Sequence, residues 1–172
     1  KFMNLKKNLV LLGMMGSGKS TAGYLLSKRI GLDFVDIDNV IEDEAGMSIF
    51  KIFEAKGEDY FRDLEEKITN KILKTSNKVV SLGGGAFVNK NIRKEILSNH
   101  FSFWLYCNEE ILLKRIRINK RRPLAHKSTD KELKEIIKKR NKIYAKAQFK
   151  INCNKRTKSE IVDKIVKIYE TY

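Results

Sequence analysis

The chain has few of the residues that punctuate or staple a fold. It has one proline in 172 residues and no stretch rich in serine and glycine, so nothing in it reads as a linker between domains. No internal repeat is visible, which excludes a solenoid or propeller. Two cysteines, Cys107 and Cys153, make no disulfide framework, and a reducing compartment, the cytoplasm, is the expected location. No apolar run approaches the roughly 20 residues of a membrane span, so no membrane association is expected. The run Leu9–Met15 passes directly into a glycine-rich loop and is not read as the core of a signal peptide. Acidic residues are scarce in one region only. There are 16 basic against 15 acidic side chains through residue 113 and 20 against 6 over residues 114–172, so +14 of the net +15 lies in the last third. Such a segment fits a nucleic-acid surface, or a lysine-biased composition with a few cations for an anionic ligand. Lysine outnumbers arginine 27 to 9, and aromatics are not interleaved with the charges as stacking on single strands requires. No nucleic-acid partner is expected.

What is present is organised around Gly13-Met14-Met15-Gly16-Ser17-Gly18-Lys19-Ser20, followed by Thr21. It satisfies G-x-x-x-x-G-K-S/T at every fixed position, with a third glycine inside the loop. Glycines let the chain curl so that successive backbone N–H groups face phosphate oxygens. Lys19 is placed for the β- and γ-phosphates, and the Ser20 hydroxyl for Mg²⁺. The context also fits, with the apolar strand Leu9–Leu12 before the loop and a helical stripe ending at Gly31 after it. A nucleotide-binding loop is the reading.

The length is that of one domain. Strands are expected at about 8–12, 33–36, 79–82, 101–106 and 148–153. Helices are expected at 19–30, over 38–75 with breaks at Gly46 and Gly57, from Asn89 to 99, at 109–118, from Thr129 to about 147, and from Thr157 onward. Ser48 is a plausible N-cap. Strands alternating with helices predict an α/β fold, a parallel sheet with helices on both faces and its ligands at the carboxyl ends of the strands.

Absences narrow the class further. No N-K-x-D run is present to read guanine, since Asn154-Lys155-Arg156-Thr157 lacks the acid. Val79–Leu82 ends in Gly83-Gly84-Gly85 rather than in the metal-holding acid of many ATP-driven motors. Asp36 is then the nearest carboxylate for a metal. Asp36-Ile37-Asp38 in an extended segment sets two carboxylates on one side, one for the metal's water shell and one to accept a hydroxyl proton. Either acid also serves as a helix cap, and Asp38 is expected to be one. Arg140 interrupts the apolar stripe Leu133, Ile136, Ile137, Tyr144, Ala147, so a carboxylate or a ligand anion should meet it. Arg62, three residues before Glu65, is a surface ion pair or a second cation for that anion. Arg121-Arg122-Pro123-Leu124 is a solvated basic loop or a lid bringing a cation onto a phosphoryl group.

Together these residues resemble the shikimate kinase family over essentially the whole chain. The shared pieces are the loop from Gly13 to Thr21, Asp36-Ile37-Asp38, Phe61-Arg62-Asp63-Leu64-Glu65, Gly83-Gly84-Gly85, Arg122-Pro123-Leu124 and Arg140-Asn141-Lys142-Ile143-Tyr144. The resemblance implies a single domain, 1–172, with a five-stranded parallel sheet of order 2-3-1-4-5. It also implies a substrate-binding helical segment at about 37–65 and a lid at about 115–128. It implies ATP-dependent phosphorylation of the 3-hydroxyl of shikimate, on the route to chorismate and the aromatic amino acids, by a monomer. By the same resemblance Asp38 is base and acceptor ligand, and Lys19 and Arg122 act on the phosphoryl group. Arg62, Arg140, Gly83, Gly84 and Gly85 hold shikimate. ATP is held by Gly13, Gly16, Ser17, Gly18, Lys19, Ser20, Thr21, Arg115, Arg122 and Arg156, and Mg²⁺ by Ser20 and Asp36. Phe53 and Phe61 are expected as pocket walls. A gluconate or nucleoside kinase is the near rival, and a P-loop protein that binds nucleic acid through its basic third is the distant one.

Overall fold

A computed structural model describes residues 7–119 and 127–172. Its centre is β1 (Leu9–Leu12), whose four side chains are wholly buried. That follows from a run with no polar member, which fits only a strand covered on both faces. Fully burying each such side chain contributes about 1.5–3 kcal/mol. Beside it lie β3 (Lys78–Ser81) and β4 (Phe101–Tyr106), with β2 (Asp33–Asp36) and β5 (Phe149–Asn152) at the edges. Every pairing is parallel, and the order is β2-β3-β1-β4-β5. All five carboxyl ends therefore open on one edge.

The helices are α1 (Lys19–Ile30), α2 (Ile37–Ala45), α3 (Ile49–Leu73), α4 (Lys90–Asn99), α5 (Glu109–Ile118), α6 (Asp130–Tyr144) and α7 (Lys158–Tyr169). A 3₁₀ turn, Ala86–Val88, follows the glycine triplet. Caps fall where small polar residues precede apolar periodicity: Ser48, Thr129 and Thr157 each accept from the N–H three residues on. Gly57 breaks α3 with φ 83° and ψ 172°, angles no helical residue holds. Asn108 precedes α5 without capping it; its side-chain oxygen accepts instead from Asn154. Two expectations are corrected. Helix α6 ends at Tyr144, three residues short, because the chain turns early to deliver β5. Asp38 is not in an extended segment: β2 stops at Asp36, and Asp36, not Asp38, is the N-cap of α2. Among the described residues no helix is long and apolar enough to cross a membrane.

Candidate active site

The loop between β1 and α1 rises from the central strand and closes on itself. Ser17 N–H donates to Met14 O at 3.1 Å, and Lys19 Nζ donates to Gly13 O and Met14 O at 2.9 and 3.0 Å. Gly13, Gly16 and Gly18 all have positive φ, at 145°, 82° and 89°. At Gly16 an added Cβ would also lie 3.0 Å from Arg115 Cβ, and Arg115 Nη1 donates to Gly16 O. The loop's N–H groups and the N-terminus of α1 form a nest for an anion.

Beside it stands the end of β2. The Asp36 carboxylate is buried and tied in three ways. One oxygen accepts from the N–H groups of Asp38 and Asn39 at 2.9 and 3.3 Å, and the other accepts from Ser20 Oγ at 2.5 Å. Ser20 and Asp36 therefore present two hard oxygen donors together at the mouth of the nest. Among the described residues no group of three metal-ligating side chains exists, and Mg²⁺ needs none. It commonly keeps several waters and takes one or two carboxylates plus phosphates. Asp38, in the first turn of α2, is half-buried and turned to the same space. A cavity of about 380 Å³ is lined by Lys19, Ser20, Asp36, Asp38, Gly84 and Arg115 among others.

A second cavity of about 540 Å³ adjoins it, lined by Arg62, Gly85, Val88, Ile136, Arg140 and Ile143 among others. Gly84 faces the first cavity and Gly85 the second, so this dipeptide is a shared wall. Backbone and guanidinium groups lie close against it. A Cβ at Gly85 would fall 2.5 Å from Arg62 Nη1, and one at Gly84 would fall 3.6 Å from Arg140 Nη1 and 3.2 Å from Met15 N. Tyr144, fully buried at the end of α6, donates its hydroxyl to Gly84 O and pins the wall. Arg62 is held at 2.8 Å by Glu65, which is only 2% exposed, and at 3.6 Å by Glu58. Its nearer partner is thus a buried acid, and the more distant Glu58 lies at the surface. Arg140 Nη1 rests 3.7 Å from Met14 Sδ, so the cation that breaks the apolar stripe of α6 points at the phosphate loop.

Not every expected residue gathers here. Gly83 is buried and lines neither cavity, and Arg156 is exposed and lines neither. Phe61 is fully buried, with Phe53 tilted against it at 4.7 Å between centroids; both belong to α3 and line neither space. Arg121, Arg122, Pro123 and Leu124 lie outside the described residues. Several lining residues, among them Asn119, Lys139 and Lys158, escaped notice in the sequence. Lys158, the first residue of α7, reaches back to Gly18. Burial and the neighbouring Arg115 hold its amine below the ordinary lysine range. Close by, the Cys107 thiol is drawn down to about 7, chiefly by its hydrogen bond with Cys153 and further by Arg115, Lys158 and Lys19, while the Cys153 thiol is pushed up.

A phosphate loop at the carboxyl edge of a 2-3-1-4-5 parallel sheet, with an acid-bearing strand end beside it, defines a P-loop kinase of small metabolites. The comparisons narrow that class. The family model described as shikimate kinase matches residues 15–170. A shikimate kinase of Persephonella marina is 42% identical over 160 residues, covering 93% of this chain and 97% of that protein. One from Thermodesulfovibrio yellowstonii is 38% identical, covering 95% of each. The solved shikimate kinase of Acinetobacter baumannii in complex with shikimate superposes with a TM-score of 0.93 at 31% identity, over 99% of this chain and 96% of that one. This chain belongs to the shikimate kinase family. A gluconokinase of Sinorhizobium meliloti, at 16% identity and a TM-score of 0.57, shares the fold alone.

Proposed function

We propose that this chain transfers the γ-phosphoryl group of ATP to the 3-hydroxyl of shikimate, in the cytoplasm, on the route to chorismate and the aromatic amino acids. The observation that carries this reading is the shared Gly84-Gly85 wall. It sets a nest for phosphates and an acid against a pocket holding two guanidinium groups. Phosphoryl transfer is mostly positioning and charge neutralisation, and the arrangement supplies both. Gly13, Gly16, Ser17, Gly18 and Thr21 cradle the phosphates, Lys19 neutralises them, and Arg115 flanks the nucleoside, whereas Arg156 stays outside the cavity. Arg62 and Arg140 take the acceptor's carboxylate, each charged hydrogen bond giving about 1.5–3 kcal/mol. Gly84 and Gly85 offer backbone groups to its hydroxyls, with Gly83 buried behind them. Asp38 orients the reacting hydroxyl and accepts its proton as the oxygen attacks phosphorus and the bond to the ADP oxygen breaks.

Mg²⁺ fits the paired oxygens of Ser20 and Asp36. Once bound it would neutralise charge on the phosphates. The Asp36 carboxylate is preset for that position by the two N–H groups of α2 and by Ser20. Arg122, outside the described residues, is the candidate cation of a lid at about 115–128, and about 37–65 is the candidate acceptor segment. One domain acting as a monomer suffices for all of these roles.

The test is ADP release, coupled to a reporter reaction, across a panel of shikimate, gluconate and nucleosides. Turnover with shikimate alone is expected. Turnover with gluconate and none with shikimate would refute the reading.

A further inference from the structure

Lys158 is a cation in a largely unfavourable setting. It is the first residue of α7, after the N-cap Thr157, where the helix dipole disfavours positive charge. Its side chain runs back across the mouth of the phosphate nest. A Cβ added at Gly18 would overlap Lys158 Nζ and lie 3.0 Å from its Cε, so the ammonium sits against the N-cap of α1, a second positive helix end. Arg115 and Lys19 line the same cavity. Burial lowers its affinity for a proton, and Arg115 lowers it further. Among the described residues no carboxylate lies within ion-pair distance of it. Two helix termini, the neighbouring Arg115 and partial desolvation oppose a charge at this point, and the thiols of Cys153 and Cys107 offset them only in part. A polyanion seated in the nest adds an attraction for the ammonium that outweighs these costs.

The topology says which part of the nucleotide is involved. The phosphoryl group to be transferred must face Asp38, beyond β2 at one edge of the sheet. Lys158 follows β5, at the other edge, with β1 and its loop between them. We infer that Lys158 binds the non-transferred α- and β-phosphates of the nucleotide, as a second lysine beside that of the phosphate loop. This rests on the kinase reading above and adds a residue outside the loop motif. ATP and ADP both carry these phosphates, so the lysine binds ground state and transition state alike. Its loss should raise KM for ATP and leave kcat and KM for shikimate near their wild-type values.

The experiment is titration of the full chain with ADP and with adenosine, for the wild type, Lys158→Met and Lys158→Arg. Lys167→Met, an exposed position on the same helix, is the charge-matched control. Lys158→Met should weaken ADP by about tenfold, the equivalent of one charged contact, and leave adenosine within about twofold; Lys158→Arg should recover most of the loss. The free Lys158→Met protein should melt no lower than wild type, since the substitution removes a cation from a helix N-terminus. ADP affinity within about twofold of wild type would overturn the inference, and so would an equal loss for adenosine, which would move Lys158 to the nucleoside. A lower melting temperature with unchanged ADP binding would make it structural. Shikimate turnover by the wild type tests the kinase reading separately, so the two failures are distinguishable.

Discussion

The two halves of the site are built on opposite plans. On the nucleotide side, residues 13–21 are consecutive, and the binding groups are mostly backbone N–H, aimed by three glycines at positive φ and by the start of α1. On the acceptor side, Arg62, Gly85 and Arg140 come from α3, the turn after β3 and α6, and the binding groups are long side chains held by packing. The first half is rigid because its geometry is local. The second is accurate only because other residues hold it: Glu65 holds Arg62, Met14 supports Arg140, and Tyr144 pins Gly84. Damage should therefore be sharp and confined to chemistry near the cradle, and graded and confined to acceptor affinity across the wall.

The largest effect tests where the halves meet. Asp38→Asn keeps the size of the side chain and removes the base, so kcat should fall by about 10²–10⁴ while ADP affinity holds. ADP binding lost in parallel would place Asp38 with the nucleotide and erase the division. Next, Arg140→Ala or Arg62→Ala should raise KM for shikimate by about 10- to 100-fold, the loss of one charged hydrogen bond, with KM for ATP little changed. Shikimate kinetics untouched by Arg140→Ala would remove the clamp from the acceptor side.

A smaller effect probes the wall itself. Tyr144→Phe leaves the buried Gly84 carbonyl without its donor, a penalty of about 1–3 kcal/mol. A lower melting temperature should accompany a several-fold rise in KM for shikimate, with ADP affinity retained. If ADP and shikimate weakened together, the wall would belong to both halves equally.

The smallest effect lies at the far end of the sheet and should leave both halves alone. Buried His100 accepts Asn8 N–H at Nδ1, and burial chiefly holds the ring below its ordinary value of 6.5. Because the folded value lies under the unfolded one, this contribution to stability is complete above about pH 6.5 and is lost as pH falls through the folded value. Urea unfolding at pH 7.5 and pH 5 should show a flatter acid limb for His100→Gln. An unchanged limb would assign it to other groups.

The same contrast governs what could be read from the chain. The cradle was legible because its chemistry is contiguous: residue type, spacing, flanking strand and flanking helix all lie within about 25 positions, and each agrees with the others. Arg140 was legible in part, since a guanidinium in an apolar stripe demands an anion, though nothing in the stripe says that it points at Met14. Asp36 and Asp38 were found and their cap assigned to the wrong one. One residue decides where β2 stops, and a short Asp-Ile-Asp run carries no signal for that choice. Lys158 was missed because one lysine among 27 has no contrast, although a cation directly after an N-cap was a visible clue.

By itself, then, the amino-acid order determined the α/β alternation, the phosphate nest and the kind of chemistry performed there, because hydrogen-bond periodicity and glycine conformations act over a few neighbouring residues. Only the tertiary structure decided that Arg62 and Arg140 converge on Gly84-Gly85, that Glu65 is a buried anchor, and that Lys158 crosses to Gly18. Those meetings depend on sheet order and helix packing, which bring together residues as far as 140 positions apart in the chain, Gly18 and Lys158.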